Sequence, residues 1–202
     1  MTKIKLCGLS RPCDIDMANE LKPDYIGFVF AQKSKRYVDP EKAAQLKALL
    51  DPEIRAVGVF VDETPEIVAD LLNSGVIDLA QLHGGEDEAY IQGLRQLTDQ
   101  PIINAFQIKT RDDIAEAERC SADHVLLDSG AGTGAVFDWS LLKNAKRPYF
   151  LAGGLSPDNV YEAVRLLHPY AVDVSSGIET DGLKDREKAA AFIAAVRKED
   201  RS

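Results

Sequence analysis

Two residues far apart in the chain have the types that acid–base chemistry needs, and each stands at the end of an apolar run. In Lys5-Leu6-Cys7-Gly8 a thiol closes the first run, where a loop begins; in Val125-Leu126-Leu127-Asp128 a carboxyl closes another, just before Ser129 and Gly130. A thiol can serve as a nucleophile, as a general base once ionised, or as a small buried packing residue, and the sequence leaves all three open for Cys7. A carboxyl partly withdrawn from water holds its proton to higher pH and suits a proton donor, whereas one beside a turn can simply cap it; Asp128 fits either. Two further runs end in small residues, Leu151-Ala152-Gly153-Gly154 and Val172-Asp173-Val174-Ser175-Ser176-Gly177. Such turns let backbone N–H groups approach an anion, so Gly153, Gly154, Ser176 and Gly177 are candidates for holding a phosphate. The expectation is that these four ends meet on one rim.

Other polar residues sit where they could join that rim. Ser34-Lys35-Arg36-Tyr37 supplies a guanidinium able to clamp a carboxylate at two points, or a solvated loop charge. In Gln81-Leu82-His83 the period of two puts Gln81 and His83 on one side, and a histidine there more often supports a site than reacts in it. Asp62, Gln107, Asp173 and Ser175 also stand at or near run ends. Cys13 and Cys120 do not and are read as packing residues.

The elements that must position these side chains follow from the hydropathy pattern. Eight short apolar runs alternate with amphipathic stretches at about 25-residue spacing, the size of a βα unit. The expected strands are Ile4 to Cys7, Tyr25 to Phe30, Ala56 to Val61, Leu79 to Leu82, Ile102 to Phe106, His124 to Leu127, Tyr149 to Ala152 and Ala171 to Val174. Most are continuously apolar, as parallel strands buried on both faces require. A single-domain (βα)8 TIM barrel over residues 1–202 follows, with its chemistry at the strand C-termini and its phosphate between loops seven and eight. A doubly wound open sheet competes, but it would spread the loops over two crevices. Thr64-Pro65-Glu66, Ser156-Pro157-Asp158 and Asp39-Pro40-Glu41 read as helix starts, with Thr64 as a cap. Arg186 to Arg197 puts Ala189, Phe192, Ile193 and Val196 on one face, which can close the outer ring. Ser129 to Val136, with Gly130, Gly132 and Gly134, reads as a lid or a permissive turn.

Composition narrows the partners. The chain has 202 residues, 45% hydrophobic and 28% charged, which is ordinary for a globular domain. A formal charge of −9, from 33 acidic against 24 basic residues, disfavours nucleic acid while leaving room for a local phosphate site. No run is long enough to span a bilayer and Met1-Thr2-Lys3-Ile4 does not open a secretory signal, so the cytoplasm is the default compartment. Three cysteines without a CxxC or a histidine cluster point to neither disulfides nor a metal. No apolar seam marks the surface helices, which points to a monomer.

Taken in order, Lys5-Leu6-Cys7-Gly8, Ser34-Lys35-Arg36-Tyr37-Val38, Gln81-Leu82-His83-Gly84, Leu127-Asp128-Ser129, Gly132-Thr133-Gly134 with Phe137-Asp138-Trp139, Leu151-Ala152-Gly153-Gly154-Leu155 and Val172-Asp173-Val174-Ser175-Ser176-Gly177-Ile178-Glu179 resemble the phosphoribosylanthranilate isomerase family of tryptophan biosynthesis. The likeness runs from Lys5 nearly to Lys188. The chain departs from the family's usual pattern at Leu6, where Ile is common, and at Lys35, where Pro often stands. The resemblance implies a cofactor-free and metal-free Amadori rearrangement of a phosphorylated aminosugar. It implies Asp128 as the general acid that opens the ring, Cys7 as the base that removes the C2 proton, Arg36 on the anthranilate carboxylate and Asp173 on the ribose hydroxyls. Such a base needs a lowered pKa, for which the start of the first helix is a candidate cause. Two other readings compete: an aldolase using Lys109 as a Schiff-base amine, and a phosphate-ligand binding module without turnover.

Overall fold

A computed structural model of the chain describes residues 1–128 and 139–199. The glycine-rich stretch read as a lid, with Gly132-Thr133-Gly134 and Phe137-Asp138, lies outside the described residues.

The eight apolar runs are strands: β1 Lys3–Cys7, β2 Tyr25–Val29, β3 Arg55–Phe60, β4 Leu79–Leu82, β5 Ile102–Gln107, β6 His124–Asp128, β7 Tyr149–Ala152 and β8 Ala171–Val174. They pair in parallel, each with its neighbour in sequence, and β8 returns to β1 with Asp173 opposite Lys5, which closes the barrel and rules out the open sheet. Alternation along the strands divides the apolar residues into two layers. Tyr25, Val57, Leu79, Ile103, Leu126, Phe150 and Ala171 fill the barrel interior. Ile4, Leu6, Ile26, Phe28, Leu82, Val125, Leu127, Leu151 and Val172 belong to the outer core shared with the helices. Burying one such aliphatic or aromatic side chain contributes about 1.5–3 kcal/mol.

Helices α1 Pro12–Leu21, α2 Pro40–Leu49, α3 Pro65–Asn73, α4 Glu88–Arg95, α5 Arg111–Arg119, α6 Val160–Leu167 and α7 Arg186–Glu199 cover that layer. The expected start at Asp39-Pro40-Glu41 opens α2, where the Asp39 carboxylate caps the helix by accepting from Lys42 N at 2.8 Å. Thr64 precedes α3, but its side chain makes no capping bond there. Ser156-Pro157-Asp158 does not open a helix: Asn159 turns its amide back on the loop, accepting from Ser156 N and donating to Gly154 O, both at 2.9 Å, and α6 starts after it. Between β6 and β7 the described part is a 3-10 turn, Trp139–Asn144, rather than an α-helix. After β8, a short 3-10 turn at Ser176–Ile178 leads into the hairpin β9 Glu179–Thr180 and β10 Leu183–Lys184 before α7. On α7, Ala189, Phe192 and Val196 are fully buried and Ile193 partly so. Among the described residues no helix is long and apolar enough to cross a membrane.

Candidate active site

Parallel strands deliver their last residues to one end of the barrel, and a cavity of about 540 Å³ opens there. Cys7, Gln81, His83, Gln107, Asp128, Gly153, Gly154, Leu155, Asp173, Ser175 and Ser176 line it. Cys7 from β1 and Asp128 from β6 therefore share one space, although they lie 121 positions apart in the sequence. Arg36 and Gly177, also expected at the rim, do not line the cavity.

The sulfur of Cys7 is packed between Val29 and Val59 and buried. It needs Gly27 beside it on β2, because a Cβ there would stand 2.7 Å from the sulfur. Burial pushes the thiol above its ordinary pKa, and the ammonium groups of Lys5 and Lys184 only partly offset this. The helix-start explanation for a lowered thiol pKa therefore fails: α1 begins at Pro12, beyond the Cys7 loop, and the favourable charges come from lysines.

Lys5 is the least expected of these groups. Its side chain is fully buried inside the barrel, where Nζ donates to Asp173 Oδ1 at 2.9 Å and its charge acts on the Cys7 thiol two residues further along β1. Burial pulls the ammonium down, but Asp173 and Cys7 more than restore it, so its pKa ends above the ordinary lysine value. Lys109, named as a Schiff-base candidate, is exposed beyond β5 and lines no part of the cavity. An amine held charged against a carboxylate, as Lys5 is, lacks the free lone pair that Schiff-base chemistry needs.

Across the cavity, the Gln81 amide nitrogen and His83 Nδ1 lie in hydrogen-bond contact at 2.8 Å, which fixes the ring with Nε2 turned outward. That nitrogen faces Asp128 Oδ2 at 3.6 Å, longer than a hydrogen bond but within ion-pair range. Asp128 is about a quarter exposed, its side chain showing 26% of its surface. Gln81 is 1% exposed, and its amide oxygen has no hydrogen-bond partner among the described residues.

The β7 and β8 loops close the third side. Gly153 and Gly154 both have positive φ, 92° and 64°, a run that side chains with a Cβ resist. Gly177 lies against the β7 loop: a Cβ on it would stand 1.9 Å from Leu155 O, so it lets the two loops touch. Ser175 Oγ donates to the Cys7 carbonyl at 3.1 Å, tying β8 to the thiol-bearing strand.

Arg36 is already engaged. Its Nε and Nη2 grip Glu179 at 2.6 and 2.7 Å, and Lys184 Nζ donates to the same carboxylate at 2.6 Å and to Ser175 O at 3.0 Å. Burial raises Glu179, but hydrogen bonds from Arg36 and Lys184 outweigh it and hold the carboxyl below its usual range. Lys5, Gly27, Lys184 and Asn159 were not singled out in the sequence, and Glu179 entered only as the end of a motif. A signal existed for Lys5 alone: a charge inside the run Ile4 to Cys7, on the same side as the thiol.

The chain matches the model of the N-(5'-phosphoribosyl)anthranilate isomerase family over residues 4–195. It belongs to that family. The N-(5'-phosphoribosyl)anthranilate isomerase of Endomicrobium trichonymphae is 46% identical over 98% of this chain and 99% of its own. The Thermotoga maritima isomerase, described as dimeric, superposes with a TM-score of 0.89 at 35% identity over 98% of this chain and 100% of that one. A further family structure, with a TM-score of 0.87 at 35% identity over the same shares, was solved in complex with reduced 1-(o-carboxyphenylamino)-1-deoxyribulose 5-phosphate.

Proposed function

We propose that this chain converts N-(5-phosphoribosyl)anthranilate to 1-(o-carboxyphenylamino)-1-deoxyribulose 5-phosphate in tryptophan biosynthesis, with Asp128 as general acid and Cys7 as general base. The observation that carries the assignment is that Cys7 and Asp128 line one cavity from strands far apart in the barrel order. Asp128 gives its proton to the ribose ring oxygen as the C1–O bond breaks, and the nitrogen lone pair forms the C1=N bond of a Schiff base. Cys7 as thiolate takes the C2 proton, and the C–H electrons form the enolamine while the nitrogen regains its pair. The enolamine then gains a proton at C1 and loses the C2 hydroxyl proton to give the ketone. C1 is reduced and C2 oxidised within one molecule, so the reaction balances without an external redox cofactor.

The family structure with the reduced product analogue supports a phosphorylated ligand of this size. In this reading its phosphate meets backbone around Gly153, Gly154, Ser176 and Gly177, where two small-residue loops converge. Asp173 contacts the ribose hydroxyls, and Gln81 and His83 steady the ligand and Asp128. Arg36, pre-oriented by Glu179, offers the rest of its guanidinium to the anthranilate carboxylate. The enzyme acts as a cytoplasmic monomer in this account. Its large exposed apolar residues, among them Leu49, Leu97, Leu166 and Leu183, are spread over separate elements, and light scattering after gel filtration checks the monomer.

A fluorescence assay following consumption of the anthranilate derivative tests the proposal. The wild type is expected to turn over, and Cys7→Ala and Asp128→Asn each to lower turnover by at least about a hundredfold with the circular dichroism unchanged. An inactive wild type, or a Cys7→Ala variant as fast as the parent, refutes it.

A further inference from the structure

We propose that Lys5 is a positioning residue for the Cys7 sulfur: its buried ammonium, shared between the thiol and the Asp173 carboxylate, is the counter-charge of the thiolate base, and Asp173 sets how much of that charge the sulfur receives. The inference rests on the reading of Cys7 as the general base.

The geometry leaves the ammonium few alternatives. Lys5 and Cys7 are two residues apart on β1, so both project into the barrel interior, and β8 places Asp173 directly opposite Lys5. The Lys5 side chain has no exposed surface, so water cannot satisfy it; it donates to Asp173 Oδ1 at 2.9 Å, and the Cys7 thiol, two positions along the same side of β1, feels its charge. A buried lysine is costly unless paired, and a barrel interior needing only stability would be served by an apolar side chain of similar volume. This one is placed directly beneath a group that must carry negative charge during turnover.

The other charges facing the sulfur divide in the same way. Lys184 reaches it from β10 and favours the thiolate; Asp173 opposes it from β8. Arg36 from the loop after β2 also interacts with it, but its fork is held by Glu179, and Lys184 is likewise tied to Glu179 and Ser175. Gly27 on β2 contributes only space. Asp128 stands on the cavity lining formed by β6. Lys5 is thus the cation whose only other commitment is to a residue of the cavity wall, and neutralising either partner must move the sulfur in opposite directions.

The test is the pH dependence of Cys7 alkylation by iodoacetamide without substrate, in a Cys13→Ser/Cys120→Ser background so that one thiol remains. Lys5→Met is expected to raise the midpoint by about one to three pH units and Asp173→Asn to lower it. A structural ion pair with no link to the thiol predicts no shift, or shifts of the same sign, and either result overturns the proposal. If Lys5→Met does not fold, the Lys5→Met/Asp173→Asn double variant, which buries no unpaired charge, must show a midpoint above that of Asp173→Asn; an equal or lower one overturns the proposal. Because alkylation is read without substrate, failure here is separable from failure of the isomerase reading, which the wild-type fluorescence assay decides.

Discussion

The two ends of the barrel interior solve opposite problems with the same strands. At the strand C-termini, Cys7, Gln81, His83, Asp128 and Asp173 meet around an open cavity with Lys5 buried below them against Asp173, and one amide oxygen has no hydrogen-bond partner among the described residues. At the strand N-termini the interior is sealed by rings. Phe150 has no exposed surface and packs at 5.5 Å from both Tyr25 and Tyr170 and at 5.8 Å from His124, while His124 stacks on Tyr170 with planes 14° apart. Lys3 closes that end from above the Tyr170 ring, 5.2 Å from its centroid, and the Tyr25 and Tyr170 hydroxyls lie 3.2 Å apart. The lesson is a division of labour: the floor supplies apolar contact, and the rim tolerates desolvated charges because they are needed for proton transfer.

That division can be broken most forcefully at the floor. Phe150→Ala should cost about 3–5 kcal/mol of unfolding free energy in urea, with turnover per folded molecule unchanged, since the cavity it leaves is remote from the sulfur. Loss of turnover without loss of stability would join the two ends functionally. The converse at the rim is the pair of substitutions already described: Cys7→Ala and Asp128→Asn, each slowing turnover by about a hundredfold while the melting temperature moves little.

Gly27→Ala tests the border between the two. An added methyl 2.7 Å from the sulfur must displace it. Overpacking of this kind costs about 1–3 kcal/mol, and here turnover should fall with it, unlike in Phe150→Ala. Thermal melts and the fluorescence assay on the same preparation separate the outcomes.

The smallest expected effect is the pH response of the floor. Burial lowers the His124 pKa, with Asp123 opposing and Arg55, Arg147 and Lys3 adding to the fall. The unfolded chain then binds a proton more readily than the folded one, so this stability is present above the ordinary histidine pKa and lost as pH drops below it. His124→Phe should flatten the decline in melting temperature between about pH 7 and 5, around the ordinary histidine pKa. An unchanged slope would remove His124 from the account.

How much of this was legible in the sequence follows from what each contact depends on. The eight strands were readable because burial on both faces writes continuous apolar runs, and Leu79–Leu82, Tyr149–Ala152 and Ala171–Val174 agree end for end. A thiol and a carboxyl at run ends could be placed on one rim from topology alone. The contacts that set their chemistry join residues that closure of the barrel brings together: Lys5 with Asp173 across 168 positions, Arg36 with Glu179 across 143. No local pattern records such pairs. Thr64 and Asn159 show the same limit at short range: each precedes a helix without capping it by its side chain, and the Asn159 amide is spent on the preceding loop instead.

The most direct test of the central claim is the pH profile of kcat/KM for the wild-type isomerisation. An acid that must be protonated and a base that must be ionised, acting from opposite walls of one cavity, predict a bell with one limb for each group. A profile with a single limb, rising or falling to a plateau, would mean that one of the two takes no part in the proton transfers.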